Sequence, residues 1–193
     1  VRPHGIVLYG PPASGKDTLT AALHRLDPRF VQLPKLKVGT GRAHGYEFVS
    51  AEHLARLRAE GRILVETHRY GNTYAIDRQA IEVRQSAGCV SVTHMGNLTD
   101  LRRLPQAWLR VLLWVPREVT ERRSQARGDP DTVRRLAAWD ETLADLIAHA
   151  DAGFFHLRLR TDQVDVDSAA GQIVDAYRRV CAGMPARVEA PRS

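Results

Sequence analysis

Gly10-Pro11-Pro12-Ala13-Ser14-Gly15-Lys16-Asp17-Thr18 follows directly on the apolar run Gly5-Ile6-Val7-Leu8-Tyr9. A buried strand that ends in a glycine-rich turn and feeds a helix aims several backbone N–H groups at one point, where the helix dipole also favours negative charge. The spacing fits G-x-x-x-x-G-K, whose lysine reaches the β- and γ-phosphates of a nucleotide. Gly10, Ala13, Ser14, Gly15, Lys16, Asp17 and Thr18 are the expected nucleotide-binding residues, and Lys16 is also expected to act in catalysis. The position after the lysine ordinarily carries a Ser or Thr hydroxyl that ligates Mg²⁺. Here it is Asp17, and Thr18 follows. A carboxylate so close to phosphates repels them unless a cation lies between, so Asp17 is expected to face Mg²⁺ or its waters, with Thr18 as the alternative. A nucleotide with β- and γ-phosphates and Mg²⁺ are the cofactors this stretch implies.

Working outward, 193 residues suit one domain with small inserted subdomains, and they are enough to bury a proper core. No apolar run approaches the roughly 20 residues that span a bilayer, and the first residues are not built like a signal peptide. The expectation is a cytoplasmic protein with no membrane partner. Cys89 and Cys181 have no metal-ligand spacing and sit in apolar segments, which reads as two buried free thiols. The eight histidines show no zinc pattern, so no metal site built by the protein alone is expected. The net charge of +6 comes from dispersed basic residues, which argues against a nucleic-acid partner and suits a site that holds two phosphorylated molecules.

Along the chain, strands are expected at 5–9, 30–33, 46–49, 63–67, 73–76, 89–93, 109–115 and 154–159. Helices are expected at 15–26, 51–60, 77–87, 117–126, 131–149 and 166–181, with a short one ending at Leu104. Residues 34–45 hold Lys35, Lys37, Arg42, His44 and three glycines and almost nothing apolar. They read as a mobile loop or the start of a small lobe, without a contribution to the core. Strands alternating with helices predict a parallel sheet covered on both faces, with the ligand at the carboxyl edge. His94, at the end of the strand over 89–93, is a candidate substrate contact.

The phosphate loop, the basic loop, Gly45-Tyr46-Glu47-Phe48-Val49-Ser50, the strand containing Glu66, Gly71-Asn72-Thr73-Tyr74, and Arg123 and Arg127-Gly128 followed by Arg135-Leu136 on a helix resemble, in order and spacing, guanylate kinase and its relatives. The resemblance covers roughly residues 5–150. It implies an α/β, P-loop NTPase three-layer sandwich with a parallel sheet: one kinase domain over 1–184, an acceptor-binding lobe at 34–76, a lid at 127–133, and a flexible tail at 185–193. It further implies that Tyr46 and Tyr74 hold the acceptor's phosphate, that Glu66 reads guanine, and that Arg127 and Arg135 neutralise the transferring group. Lys37 stands where the family has an arginine for the acceptor phosphate.

Two departures touch the base. The family's Tyr-Gly-Ser/Thr is Tyr74-Ala75-Ile76 here, and the two aspartates expected after the strand at 89–93 are missing, with His94, Met95 and Gly96 in that neighbourhood. A site that has lost polar readers discriminates guanine poorly. A second relative, ribose 1,5-bisphosphate phosphokinase, shares the Gly-Lys-Asp form of the loop and is similar over Thr67–Tyr74. The expected function is an ATP-dependent transfer of the γ-phosphoryl group to the phosphate of a monophosphorylated acceptor, guanylate kinase-like and most like a nucleoside monophosphate kinase with altered base-reading residues, by a monomer or homodimer. The alternatives are a ribose 1,5-bisphosphate phosphokinase or other small-metabolite kinase, and a guanylate-kinase-like binding module without catalysis.

Overall fold

The computed structural model describes residues 5–41, 43–69, 71–105, 107–128, 131–151 and 153–184. Arg42 of the basic loop, Tyr70 of the turn between strands, Asp129 and Pro130 of the lid and the tail at 185–193 lie outside the described residues.

Five strands form the main sheet: β1 (Gly5–Tyr9), β2 (Phe30–Gln32), β7 (Val90–Met95), β8 (Trp108–Trp114) and β9 (Leu157–Arg160). They run parallel in the order β2-β7-β1-β8-β9. The pleat of β1 divides its side chains between two cores. Ile6 and Leu8 pack with α1 (Lys16–Leu26) and α7 (Val166–Cys181), while Val7 and Tyr9 pack on the opposite face. That second face is covered by α3 (Arg78–Ser86), α4 (Leu98–Arg103) and one side of α6 (Thr132–His149). A strand buried on both sides has to be apolar throughout, and Gly5-Ile6-Val7-Leu8-Tyr9 is.

The adjacent strands β1 and β7 therefore feed helices on opposite faces, α1 on one and α4 on the other. The chain parts at their carboxyl ends and leaves a crevice there, the place where open α/β sheets bind ligands.

A second, four-stranded sheet in the order β4-β3-β6-β5 forms the inserted lobe. It contains β3 (Lys35–Val38), β4 (Tyr46–Phe48), β5 (Ile63–Arg69) and β6 (Asn72–Asp77), with α2 (Ala51–Ala59) laid on one face. Ser50 accepts a hydrogen bond from the His53 N–H and Asp77 one from the Gln79 N–H, so both helix starts are capped by the residues their sequence suggested.

Three expectations need correction. The segment 34–45 does contribute to a core: Lys35-Leu36-Lys37-Val38 is strand β3, and Leu36 packs with Leu54 and Leu57 of α2. Two apolar residues alternating with two lysines are enough to give a strand one dry face. The last strand begins at Leu157, because Phe154 and Phe155 form a turn in which their rings meet edge-on at 5.1 Å. Cys89 is half-buried and Cys181 exposed, so neither thiol is a core group.

Candidate active site

The turn between β1 and α1 is built to hold an anion. A Cβ on Gly10 would lie 2.1 Å from the Leu113 carbonyl oxygen on β8, so only glycine fits where the loop leaves the sheet. Ala13 and Gly15 take left-handed backbone conformations, with φ of 60° and 89°. The loop's carbonyls are tied down on its far side. The Thr120 hydroxyl on α5 (Arg117–Ala126) donates to Pro12 O at 3.2 Å, Arg123 donates to Ala13 O at 2.9 Å, and the Thr161 hydroxyl donates to Ser14 O at 2.9 Å. With the Pro12, Ala13 and Ser14 oxygens held outward, this part of the loop presents its amide side to the crevice.

Lys16 curls back over this loop and donates to Gly10 O and Pro11 O, each at 2.8 Å. Burial pushes its ammonium down to about 8, against the pull of Asp17 and helped by the nearby charges of Lys35 and Arg135. A cation held among other cations at a protein surface cleft marks a place made for several negative charges.

Asp17 and Thr18 stand exposed on the first turn of α1 and line the same cavity. His94, at the end of β7, sits behind them: its Nε2 is 2.8 Å from the Thr20 hydroxyl and its Nδ1 is 3.7 Å from an Asp17 oxygen. The Thr20 proton goes to Lys16 O at 2.9 Å, so Nε2–H donates to Thr20 and Nδ1 is the nitrogen that faces Asp17.

The cavity, about 400 Å³, runs from the phosphate loop to the inserted lobe and is roofed by Arg127, at the end of α5, and Arg135, on the first turn of α6. The lobe faces it through one side of its sheet. Strand register sets Lys37 opposite Tyr74, Tyr74 opposite Thr67, and Lys35 opposite Tyr46, and paired residues share a face. Lys35, Tyr46, Tyr74 and Thr67 line the cavity.

Two expected substrate residues are placed elsewhere. Lys37 is 3% exposed and does not line the cavity, its ammonium lying 4.9–5.6 Å from the ring centres of Tyr46, Phe48 and Tyr74. The lysine that lines the cavity is Lys35, two residues earlier on the same face. Glu66 is out of phase by one residue. Its neighbour Thr67 faces the cavity, so Glu66 points to the α2 side, where Arg58 binds it through contacts of 2.9–3.2 Å and His68 Nε2 lies 3.2 Å away. The expected guanine reader is thus turned away from the site by the strand's period of two.

Lys35, Thr67, Arg69, Thr93 and Asp100 also line the cavity and were not singled out from the sequence. Burial pushes the Lys35 ammonium down to about 8, with the Asp100 charge opposing. Lys35 was legible in principle, since it lies two residues from Lys37 in a strand. Asp100 and Thr93 carry no local motif and reach the cavity only through the packing of α4 and β7.

Guanylate kinase of Streptomyces coelicolor A3(2) is 32% identical to this chain over 154 residues, a match that covers 74% of the chain and 78% of that protein. The chain belongs to the guanylate kinase family. Guanylate kinase of Streptomyces kasugaensis is likewise 32% identical over 154 residues, covering 74% and 75%. In three dimensions the chain is similar to the guanylate kinase from Anaplasma phagocytophilum, with a TM-score of 0.63 over 93% of this chain and 87% of that one, at 17% identity. That likeness carries the fold, a P-loop kinase core with an inserted lobe. No protein-family model matches the chain. As a member of the guanylate kinase family the chain is a P-loop phosphotransferase. Among the described residues no helix is long and apolar enough to cross a membrane, and no group of three or more His, Cys, Asp or Glu is arranged to hold a metal.

Proposed function

We propose that this protein moves the γ-phosphoryl group of ATP onto the phosphate of a nucleoside monophosphate, with altered residues at the base. The observation that carries this reading is the continuity of one cavity from the phosphate loop, past Lys35, Tyr46 and Tyr74, to Arg127 and Arg135. On this reading residues 34–76 are the acceptor lobe and 127–133 the lid.

Phosphoryl transfer asks for positioning and charge neutralisation more than for covalent help. An acceptor phosphate oxygen is already ionised, so the site needs no strong general base. Donor phosphates entering the loop meet its amides and draw the Lys16 ammonium away from Gly10 O and Pro11 O. Lys35 and the hydroxyls of Tyr46 and Tyr74 hold the acceptor phosphate from the lobe side. Arg127 and Arg135 close over the group in transit and balance its charge, the work in which guanidinium groups excel.

Asp17 and Thr18 offer one carboxylate and one hydroxyl at the mouth of the phosphate loop, a donor set that fits a Mg²⁺ held mainly by phosphates and water. They are the residues that would hold it, and the ion supplies neutralisation of β/γ charge.

A second reading, transfer to ribose 1,5-bisphosphate, draws on the Gly-Lys-Asp loop and on the withdrawal of Glu66 from the cavity. An ADP-release assay over GMP, dGMP, other nucleoside monophosphates and ribose 1,5-bisphosphate tests both. Turnover with nucleoside monophosphates supports the first reading, and turnover with the bisphosphate alone replaces it with the second. No turnover with any acceptor, together with no ATP binding, leaves only a binding module.

A further inference from the structure

A second group of cations gathers at the other end of the main sheet, near the amino ends of its strands. Arg110 of β8 alternates with Trp108 and Leu112 and faces the side of the sheet on which those two are buried. Arg158 of β9 pairs with Leu112 and shares that side. The guanidinium carbons of Arg110 and of Arg102, on α4, lie 4.7 and 4.9 Å from the centre of the Phe154 ring. That of Arg158 lies 5.7 Å from the centre of the Phe155 ring, which meets the Phe154 ring at 5.1 Å. Three guanidinium groups therefore collect on two touching rings. None of these arginines lines the cavity of the phosphate loop. Arg102 also donates to His149 O, at the end of α6 and roughly 20 Å along that helix from Arg135.

The cluster is short of acceptors. Arg110 Nε is buried and, among the described residues, has no hydrogen-bond partner, and no described carboxylate pairs with Arg110 or Arg158. The backbone N–H of Arg110 donates to His156 Nδ1 and its carbonyl accepts the His156 N–H, each at 2.9 Å, so neither contact serves the side chain. Two residues earlier on the same face, the buried Trp108 Nε1–H also lacks an acceptor. The nearest carboxylate is the exposed Asp151, and it is engaged by Arg102 at 2.8 Å. Burial and the Arg102 charge push the Arg110 guanidinium below its ordinary range, yet arginine does not shed its proton. Stacking on a ring places a guanidinium plane but leaves its N–H groups unsatisfied, and buried donors without acceptors are a standing penalty that a bound acceptor removes.

We propose that Arg102, Arg110 and Arg158 form a second anion site, remote from the phosphate loop, for the dianionic phosphoryl group of a small molecule. Guanidinium forks meet phosphate oxygens two at a time, and a dianion answers more of this positive charge than a single carboxylate does. Its arrival draws Arg102 from Asp151, an exposed pair that is weakly held. The site stands independently of the phosphotransferase reading.

The test is a titration of inorganic phosphate, ribose 5-phosphate and succinate into Lys16→Ala, chosen to remove binding at the phosphate loop. Calorimetry gives the affinity, and the ¹⁵N–¹H resonance of Arg110 Nε reports on this site alone. A saturable shift of that resonance with phosphate is expected. Affinity should fall at least tenfold when Arg110→Met or Arg158→Gln is added, and rise severalfold with Asp151→Asn, which releases Arg102. Arg110→Met keeps an unbranched stem against Phe154, so it should raise the melting temperature of the ligand-free protein while abolishing the further rise that phosphate gives. A packing role alone does not produce those opposite signs. Should Arg110→Met not fold, Arg158→Gln and Asp151→Asn carry the same reading with opposite expected effects. Ribose 5-phosphate bound more tightly than phosphate at Arg110 assigns an esterified phosphoryl group, and equal binding assigns the free ion. Succinate bound as tightly as phosphate overturns the phosphoryl assignment. No saturable shift at Arg110 Nε, or affinities unchanged by Arg110→Met and Arg158→Gln, overturns the site.

Discussion

The Tyr9 hydroxyl, at the last residue of β1, donates to Asp145 Oδ2 on α6 at 2.7 Å. The same oxygen accepts the Leu98 N–H that opens α4, at 2.8 Å. One carboxylate therefore joins the strand that launches the phosphate loop, the helix that carries Arg135 and the helix that carries Asp100. Burial and the Asp145 hydrogen bond both push the Tyr9 phenol above its ordinary range, so it stays a donor.

Asp145→Ala leaves a buried phenol and a helix N–H without their acceptor, a loss of about 1–3 kcal/mol for such groups. The expected result is a urea midpoint lowered accordingly, with a fall in kcat larger than any change in the KM for ATP. Asp145→Asn, which keeps one acceptor oxygen, should recover part of both. An unchanged kcat in the alanine variant would show that the tie is structural only.

Glu66→Gln should leave the KM of every acceptor within about twofold and stability within about 1 kcal/mol, the range expected for an exposed pair such as Glu66 with Arg58. A tenfold rise in acceptor KM in steady-state assays would place this carboxylate back in the acceptor site.

Asp17→Ala should raise the Mg²⁺ concentration needed for half-maximal rate, and Thr18→Val should do so less. The magnesium titration of initial rates is the measurement. Superimposable curves for Asp17→Ala and wild type would remove the carboxylate from the metal's neighbourhood.

Lys16 and Lys35 each titrate near 8 in the folded chain, against 10.5 for a free lysine. Between those values the unfolded chain binds more protons, so these two groups make stability rise with pH across that window. Below about 8 both states are protonated and the burial penalty is fully present. The melting temperature of the ligand-free protein, compared with a Lys16→Met/Lys35→Met variant at pH 7.5 and 9.5, should therefore gain on the variant as pH rises. Phosphate binding needs the ammonium forms, so affinity for inorganic pyrophosphate should fall over the same interval. A wild type that loses ground to the variant at pH 9.5 would contradict the placement of these lysines.

The phosphate loop was legible because its chemistry is local: glycine, lysine and strand-before-helix all fall within about a dozen consecutive residues. The main sheet was legible for the same reason, since β1 is a continuous apolar run and β8 is one broken only by Arg110. The acceptor face was not. Which of Lys35, Lys37, Glu66 and Thr67 meets the cavity depends on strand register, and a one-residue offset sends a side chain to the other face. Alignment to a family pattern tolerates such an offset, and a sheet does not. Asp100 was invisible because it reaches the cavity through the packing of α4 against β5, which no short window of sequence contains.

On the proposed reading, Lys16 and the loop around it hold the donor while a phosphate oxygen of the acceptor attacks. That reading is tested most directly by ³¹P NMR of Mg²⁺·ATP with GMP as acceptor, using wild type and Lys16→Ala. Wild type should convert the acceptor's monophosphate resonance into that of a diphosphate, in step with the appearance of ADP. Lys16→Ala, folded by circular dichroism, should give neither. A diphosphate product formed at an undiminished rate by Lys16→Ala, or ADP accompanied only by inorganic phosphate in the wild type, would contradict the account.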